Sequence, residues 1–197
     1  MTSIGFLAAK PPDAEAQRIF DDDIAEDGYV MNVSKLWAYQ PATLSHLFDL
    51  MGETYATEGL TFRERGILVT ACASTIGDSY CSLAWGTKLA SKSDPETAAG
   101  VLLGVDDRLS PKEQAMARWA RKVARDANHT EAADVQALRD AGYSDAQIFG
   151  MTVYIALRMA FSTVNDALGA QPDSAFRSTA PEAVRHAVDY GRPIDDA

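Results

Sequence analysis

The sequence is short of cysteine, histidine and positive charge, and each shortage removes a class of function. Its 197 residues contain two cysteines, Cys72 and Cys81, too few for the disulfide framework of a small secreted domain. The three histidines, His46, His129 and His186, are scattered, and none has a second ligand at the spacing of a metal site. No metal is therefore expected. Eighteen basic side chains against twenty-eight acidic ones leave a formal charge of -10, which repels phosphate backbones and anionic lipid. Nucleic acid and membrane surfaces are poor partners on that ground. A Gly-rich phosphate loop, the Ser-His-Asp order and HExxH are all missing, so no cofactor is expected.

Long apolar runs are missing too. No window approaches the roughly 20 apolar residues that span a bilayer. The most apolar stretch, Val153 to Ala160, is interrupted by Arg158. The segment Ile4 to Ala9 has no basic front, is short for a signal peptide and runs into Pro11-Pro12. The expected compartment is the cytosol, where thiols stay reduced, so Cys72 and Cys81 are expected to be free.

What is present reads as helix. Apolar residues make up 47% and charged residues 23%, an ordinary globular balance, and the length suits one well-buried core spanning 1–197. Pro41 fits the first helical position ahead of the stripe Leu44, Leu47, Phe48 and Met51, giving a helix from Pro41 to Tyr55. Thr61 and Glu64 form a capping-box pattern before an apolar run that ends at Ile76. Gly77 suits the left-handed position that closes that helix, and Asp78 suits the N-cap of the next. Cys81 then falls in the first turn of a new helix. Ser110-Pro111 with Glu113 starts another, carrying Met116, Trp119, Ala120 and Val123 on one face. Ala14 to Ala25, Pro95 to Leu103, Thr130 to Ala141, Ser144 to Leu168 and Pro181 to Tyr190 complete the set, and Tyr29 to Trp37 reads as a loop or a short helical turn. No stretch alternates as a half-buried strand does, so the fold class is all-α.

The stretch from Thr61 to Leu89 carries a recognisable frame: Phe62-Arg63-Glu64-Arg65-Gly66, Ile67 to Ile76, then Gly77-Asp78-Ser79-Tyr80-Cys81 and Trp85. It resembles the alkylhydroperoxidase D / carboxymuconolactone decarboxylase family. That family's signature is a glutamate on one helix, a Cys-x-x-Cys at the start of the next, and a histidine one turn beyond. Gly66 falls at the glutamate position, Asp78 at the first cysteine and Trp85 at the histidine, while Cys81 matches the second cysteine. Further segments, Leu109 to Gln114, Asp134 to Ile148 and Asp166 to Gly169, are similar to the peroxidase-related branch and extend the likeness through the helical part at 110–190. The resemblance implies an all-α AhpD-like bundle and an antioxidant oxidoreductase. In that chemistry a thiolate takes oxygen from a hydroperoxide, becomes a sulfenic acid, and condenses with its neighbouring cysteine while Glu and His relay protons.

This chain cannot run that sequence with these residues. Asp78 has no thiol to condense, Trp85 cannot shuttle a proton and Gly66 has no side chain. Glu64, two residues along the helix, points about 200° away from position 66. Cys81 admits two readings. A helix N-terminus lowers a thiol's pKa, but the Asp78 carboxylate beside it raises it, and a free cysteine is often simply buried. Tyr80 could assist, and Cys72, on the preceding helix, could serve as a remote resolver. Arg158 sits among apolar neighbours, where it needs either a core carboxylate or an anionic ligand. Trp85 and Trp119 read as core residues before they read as a ligand platform, and Asp21 to Asp23 as a solvated helix end. Three functions fit: a hydroperoxidase-like or lactone-decarboxylase-like enzyme with a rebuilt site centred on Cys81 and assisted by Asp78 or Tyr80, a non-catalytic small-molecule binding or assembly relative, and a one-cysteine redox sensor. A homo-oligomer is expected, because the largely apolar Ser144 to Leu168 helix needs covering.

Overall fold

The structure, a computed structural model, describes residues 3–196. The chain begins with a short antiparallel ribbon, β1 (Ser3–Ile4) and β2 (Leu7–Ala8), and every later element among the described residues is helical. The helices are α1 (Ala14–Asp27), α2 (Asn32–Trp37), α3 (Pro41–Thr57), α4 (Phe62–Ile76), α5 (Ser79–Ser91) and α6 (Pro95–Leu103). They continue with α7 (Pro111–Asp126), α8 (Ala132–Asp140), α9 (Asp145–Ala167), α10 (Phe176–Thr179) and α11 (Glu182–Ala187). The molecule is all-α, as expected. Tyr29 to Trp37 holds a true helix, α2, rather than a loop, and α10 has no counterpart in the sequence reading because its four residues are too few to show periodicity.

Capping chemistry sets the boundaries. The Thr61 and Glu64 side chains close a reciprocal capping box at the start of α4, and Ser110 with Glu113 does the same for α7. Gly77 ends α4 with φ +78°, a left-handed conformation that any side chain would strain. The expected start at Thr130 is displaced: Glu131 occupies the N-cap of α8, and its capping box with Asp134 completes that turn. Each well-capped boundary was legible to within a residue or two.

Helix α4 runs through the middle, packed by α5, α6, α7 and α9. Its residues from Gly66 to Ala73 are all buried. Such a helix is apolar on every side because it has neighbours on every side. Helix α9 is the one helix among the described residues long and apolar enough by length and composition to cross a membrane, and in the bundle it packs against α3, α4 and α7 as a core helix. Helices α1 and α2 pack on each other, with α1 also reaching α3, and α11 lies over α5 and α6. This arrangement leaves the start of α5 facing the middle of α9, with α1, α2 and α3 as the outer wall.

Candidate functional site

The break at Gly77-Asp78 positions the thiol. Asp78 takes an extended conformation at the N-cap of α5, and its Oδ1 accepts the Cys81 backbone N–H at 2.9 Å. That bond fixes the first turn and turns Cys81 inward, where only 2% of the residue is exposed. Asp78 is itself fully buried, and its Oδ2 has no hydrogen-bond partner.

Across from it, α9 supplies Arg158. Its Nη2 donates to Cys81 Sγ at 3.3 Å, and its Nη1 lies 3.9 Å from Met51 Sδ on α3. Ser162, one turn further along the same face of α9, points its hydroxyl at Cys81 Sγ from 3.7 Å. The guanidinium carbon sits 5.4 Å from the Trp85 ring and 5.1 Å from the Phe161 ring, within cation–π range of both. Arg158 is 4% exposed, its Nε has no partner, and no carboxylate pairs with it among the described residues. Of the two companions the sequence left open, a core carboxylate does not pair with Arg158 among the described residues; two sulfurs face it instead.

Thiol and guanidinium open onto a cavity of about 500 Å³, within the range of small-molecule sites. Its apolar and aromatic lining is formed by Trp37, Leu44, Tyr80, Trp85 and Phe161 together with the exposed Phe48. Trp37 stacks on Phe161 with ring centroids 5.7 Å apart, and its Nε1 donates to Asn165 Oδ1 at 2.8 Å. The outer wall carries Asp22, Asp23, Glu26, Asp27 and Asp49 together with Lys88. Asp21 to Asp23 is therefore not a helix end: α1 runs on to Asp27 and lays part of that cluster along the cavity. Asp23 is half-buried, and its Oδ2 accepts the Met31 N–H at 2.9 Å.

Charge around the sulfur is balanced against ionisation. Burial pushes the Cys81 thiol well above the ordinary range, Asp78 adds to the push, and Arg158 pulls the other way without cancelling it. Burial likewise lifts Cys72 to about 12, with Arg158 lowering and Asp78 raising it. Asp166 is raised to about 7 by burial and by Asp78, partly relieved by Arg192. Tyr80 donates its hydroxyl to Asp173 in a short, buried hydrogen bond, so its ring lines the cavity while its oxygen is engaged elsewhere.

The candidates from the sequence thus separate. Cys81, Tyr80, Trp85 and Arg158 share one cavity. Asp78 caps the helix behind Cys81, and Cys72 is buried in α4 without lining the cavity. Gly66 packs on α5: a Cβ built there would meet Leu89 Cδ1 at 3.2 Å. Both cysteines are free, and no group of three potential metal ligands occurs among the described residues. His46 is exposed on α3, while exposed His129 bonds Asp126 and exposed His186 lies near Glu182. Trp119 donates to Thr152 away from the cavity. Ser162 and Phe161 were missed, although each falls within a turn of Arg158 on one helix, a spacing the sequence displays.

No protein-family profile and no curated protein sequence matches the chain. Solved structures do. The AhpD core of an uncharacterized peroxidase-related protein from Ralstonia eutropha JMP134 superposes with a TM-score of 0.78 at 24% identity, over 89% of this chain and 96% of that one. An uncharacterized peroxidase-related protein from Silicibacter sp. TM1040 gives 0.72 at 25% identity, over 87% and 91%. The debrominase Bmp8, as a cysteine-to-alanine variant in complex with 2,3,4-tribromopyrrole, gives 0.67 at 15% identity, over 95% and 98%.

Proposed function

We propose that this chain, which has the AhpD-like all-α fold, is a peroxidase-related protein working with one thiol, Cys81, at the wall of a small-molecule cavity. The observation that carries the reading is the Cys81 Sγ to Arg158 Nη2 contact of 3.3 Å at the inner end of that cavity. A thiolate formed there has a buried cation beside it, and so does the alkoxide that leaves when a hydroperoxide is split. Cys81 first loses its thiol proton to solvent; its sulfur bonds the distal oxygen, the O–O bond breaks, and the alkoxide takes a proton back from solvent and departs as alcohol. Cys81 is left as sulfenic acid. An external thiol then condenses with it, releasing water and leaving a mixed disulfide, and a second external thiol displaces Cys81 from that disulfide and returns it to the thiol.

Nothing at the site supports a second internal thiol. Asp78 occupies the place of the partner cysteine and serves as a cap, and Cys72 stands outside the cavity. The upward shift of Cys81 favours slow, base-dependent turnover over rapid scavenging. It also favours a second reading, in which the cavity binds a small molecule and the thiol does not react. Bmp8, with the same fold, is seen with a small flat ring bound, in keeping with either reading.

The two are separated by treating the folded protein with cumene hydroperoxide at mildly alkaline pH and trapping with dimedone before mass spectrometry. The one-thiol reading expects a dimedone adduct on Cys81 and no Cys72–Cys81 disulfide. An unmodified Cys81 at an excess of hydroperoxide supports the binding reading, and a disulfide would show that Cys72 does resolve.

A further inference from the structure

Building on the reading that the Cys81 cavity is the working site, we propose that its ligand is a small aromatic monocarboxylate, held by its carboxylate on Arg158 and by its ring between the aromatic walls. A guanidinium carries five N–H donors in a planar fork matched to a carboxylate. Here Nη1 and Nη2 reach only sulfur, a weak acceptor, at 3.9 Å and 3.3 Å, and Nε reaches nothing. A charge on a residue only 4% exposed, with no carboxylate within ion-pair distance among the described residues and Asp78 acting only from beyond Cys81, is unfavourable until an anion joins it. Trp85 and Phe161 hold the guanidinium carbon at 5.4 Å and 5.1 Å and so fix where that anion must sit.

The walls select the rest of the molecule. Trp37, Phe48, Tyr80 and Phe161 offer ring faces and edges over the volume of about 500 Å³, room for one or two fused rings. A bare inorganic anion leaves that surface unfilled. At the outer wall Asp22, Glu26 and Asp49 form no ion pair among the described residues and outnumber the one cation there, Lys88, so a second negative group on the ligand meets mostly like charge. One negative charge, inward, is what the cavity accommodates.

Calorimetric titration tests this in reducing buffer with no hydroperoxide present, using benzoate, its neutral isostere benzamide and the dianion terephthalate. Wild-type protein is expected to bind benzoate saturably, about tenfold or more tighter than benzamide, the worth of a hydrogen-bonded charge. Terephthalate should bind more weakly than benzoate. Arg158→Met and Arg158→Gln should each lose benzoate while keeping the wild-type circular dichroism spectrum. The proposal is overturned by no saturable benzoate binding to wild type, by equal affinity for benzamide, by terephthalate binding as tightly as benzoate, or by a folded Arg158→Met that still binds. If both variants misfold, the benzoate-to-benzamide ratio on wild type decides. Thiol oxidation plays no part in this readout, so failure here leaves the one-thiol reading standing, and failure of that reading leaves this one.

Discussion

Replacing Gly66 with glutamate is expected to unfold the protein rather than restore a catalytic group. Position 66 is buried in α4 where that helix crosses α5, and a Cβ there already meets Leu89 Cδ1 at 3.2 Å and Leu89 Cβ at 3.3 Å. Beyond that Cβ, a glutamate adds one more methylene and a carboxylate to an interface that has room for neither. Overpacking costs about 1–3 kcal/mol, and an uncompensated buried charge adds several more. A combined loss of roughly 4 kcal/mol or more is a large part of the 5–15 kcal/mol that holds a typical domain together. Gly66→Ala is the control. Its single methyl presses on Leu89 Cδ1, which can swing away, and on Leu89 Cβ, which gives a few tenths of an ångström only if α5 shifts, while helix propensity returns about 1 kcal/mol. Urea denaturation should therefore show Gly66→Ala near wild type and Gly66→Glu unfolded or strongly shifted. A Gly66→Glu protein with an unchanged midpoint would mean that α4 and α5 do not meet as described.

Arg158→Met is expected to stabilise the fold. The arginine buries a full charge against two sulfurs and two aromatic rings, with no carboxylate within ion-pair distance among the described residues. Methionine keeps the unbranched length, suits contact with Met51 and the rings, and brings no charge. Exchanging buried ionic groups for apolar ones of similar volume commonly gains about 1–4 kcal/mol, and a gain in that range should appear as a higher thermal midpoint. The cavity loses its anion affinity in the same change, the usual relation between a strained functional site and the stability of its scaffold. Arg158→Ala should not behave this way, because the space it leaves lowers stability by the cavity term. A thermal midpoint that falls in Arg158→Met as far as in Arg158→Ala would show that the arginine is a structural element.

The fold was legible because its helix ends are written in local chemistry. Thr61 with Glu64, Ser110 with Glu113, and Gly77 followed by Asp78 act through hydrogen bonds a few residues apart, so a linear reading finds them. The site was half legible. Cys81 follows from the Asp78 cap, and Arg158 stands out as a charge in an apolar run. What the sequence could not show is that these two meet across 77 residues of chain, or that Met51, from a third helix, completes the surroundings of the guanidinium. Side-chain partners from different helices leave no periodic trace. For the same reason the sequence left Arg158 with either a core carboxylate or an anionic ligand as companion, and Asp21 to Asp23 looked like a solvated helix end. The reach of α1 along the cavity depends on how α1 packs against α2 and α3, which no local pattern encodes.

The central claim is that the Cys81 sulfur opens onto the cavity and that Asp78 outweighs Arg158 in setting its charge. The most direct measurement is the rate of iodoacetamide modification of each cysteine in the folded protein against pH, for wild type and for Asp78→Asn, which keeps the helix cap while removing the carboxylate charge. Cys81 is expected to react in the folded state, ahead of Cys72, with an apparent pKa above the ordinary thiol value of about 8.5 that moves down in Asp78→Asn. A Cys81 modified only on unfolding, or one that titrates below about 7 in wild type, contradicts the account.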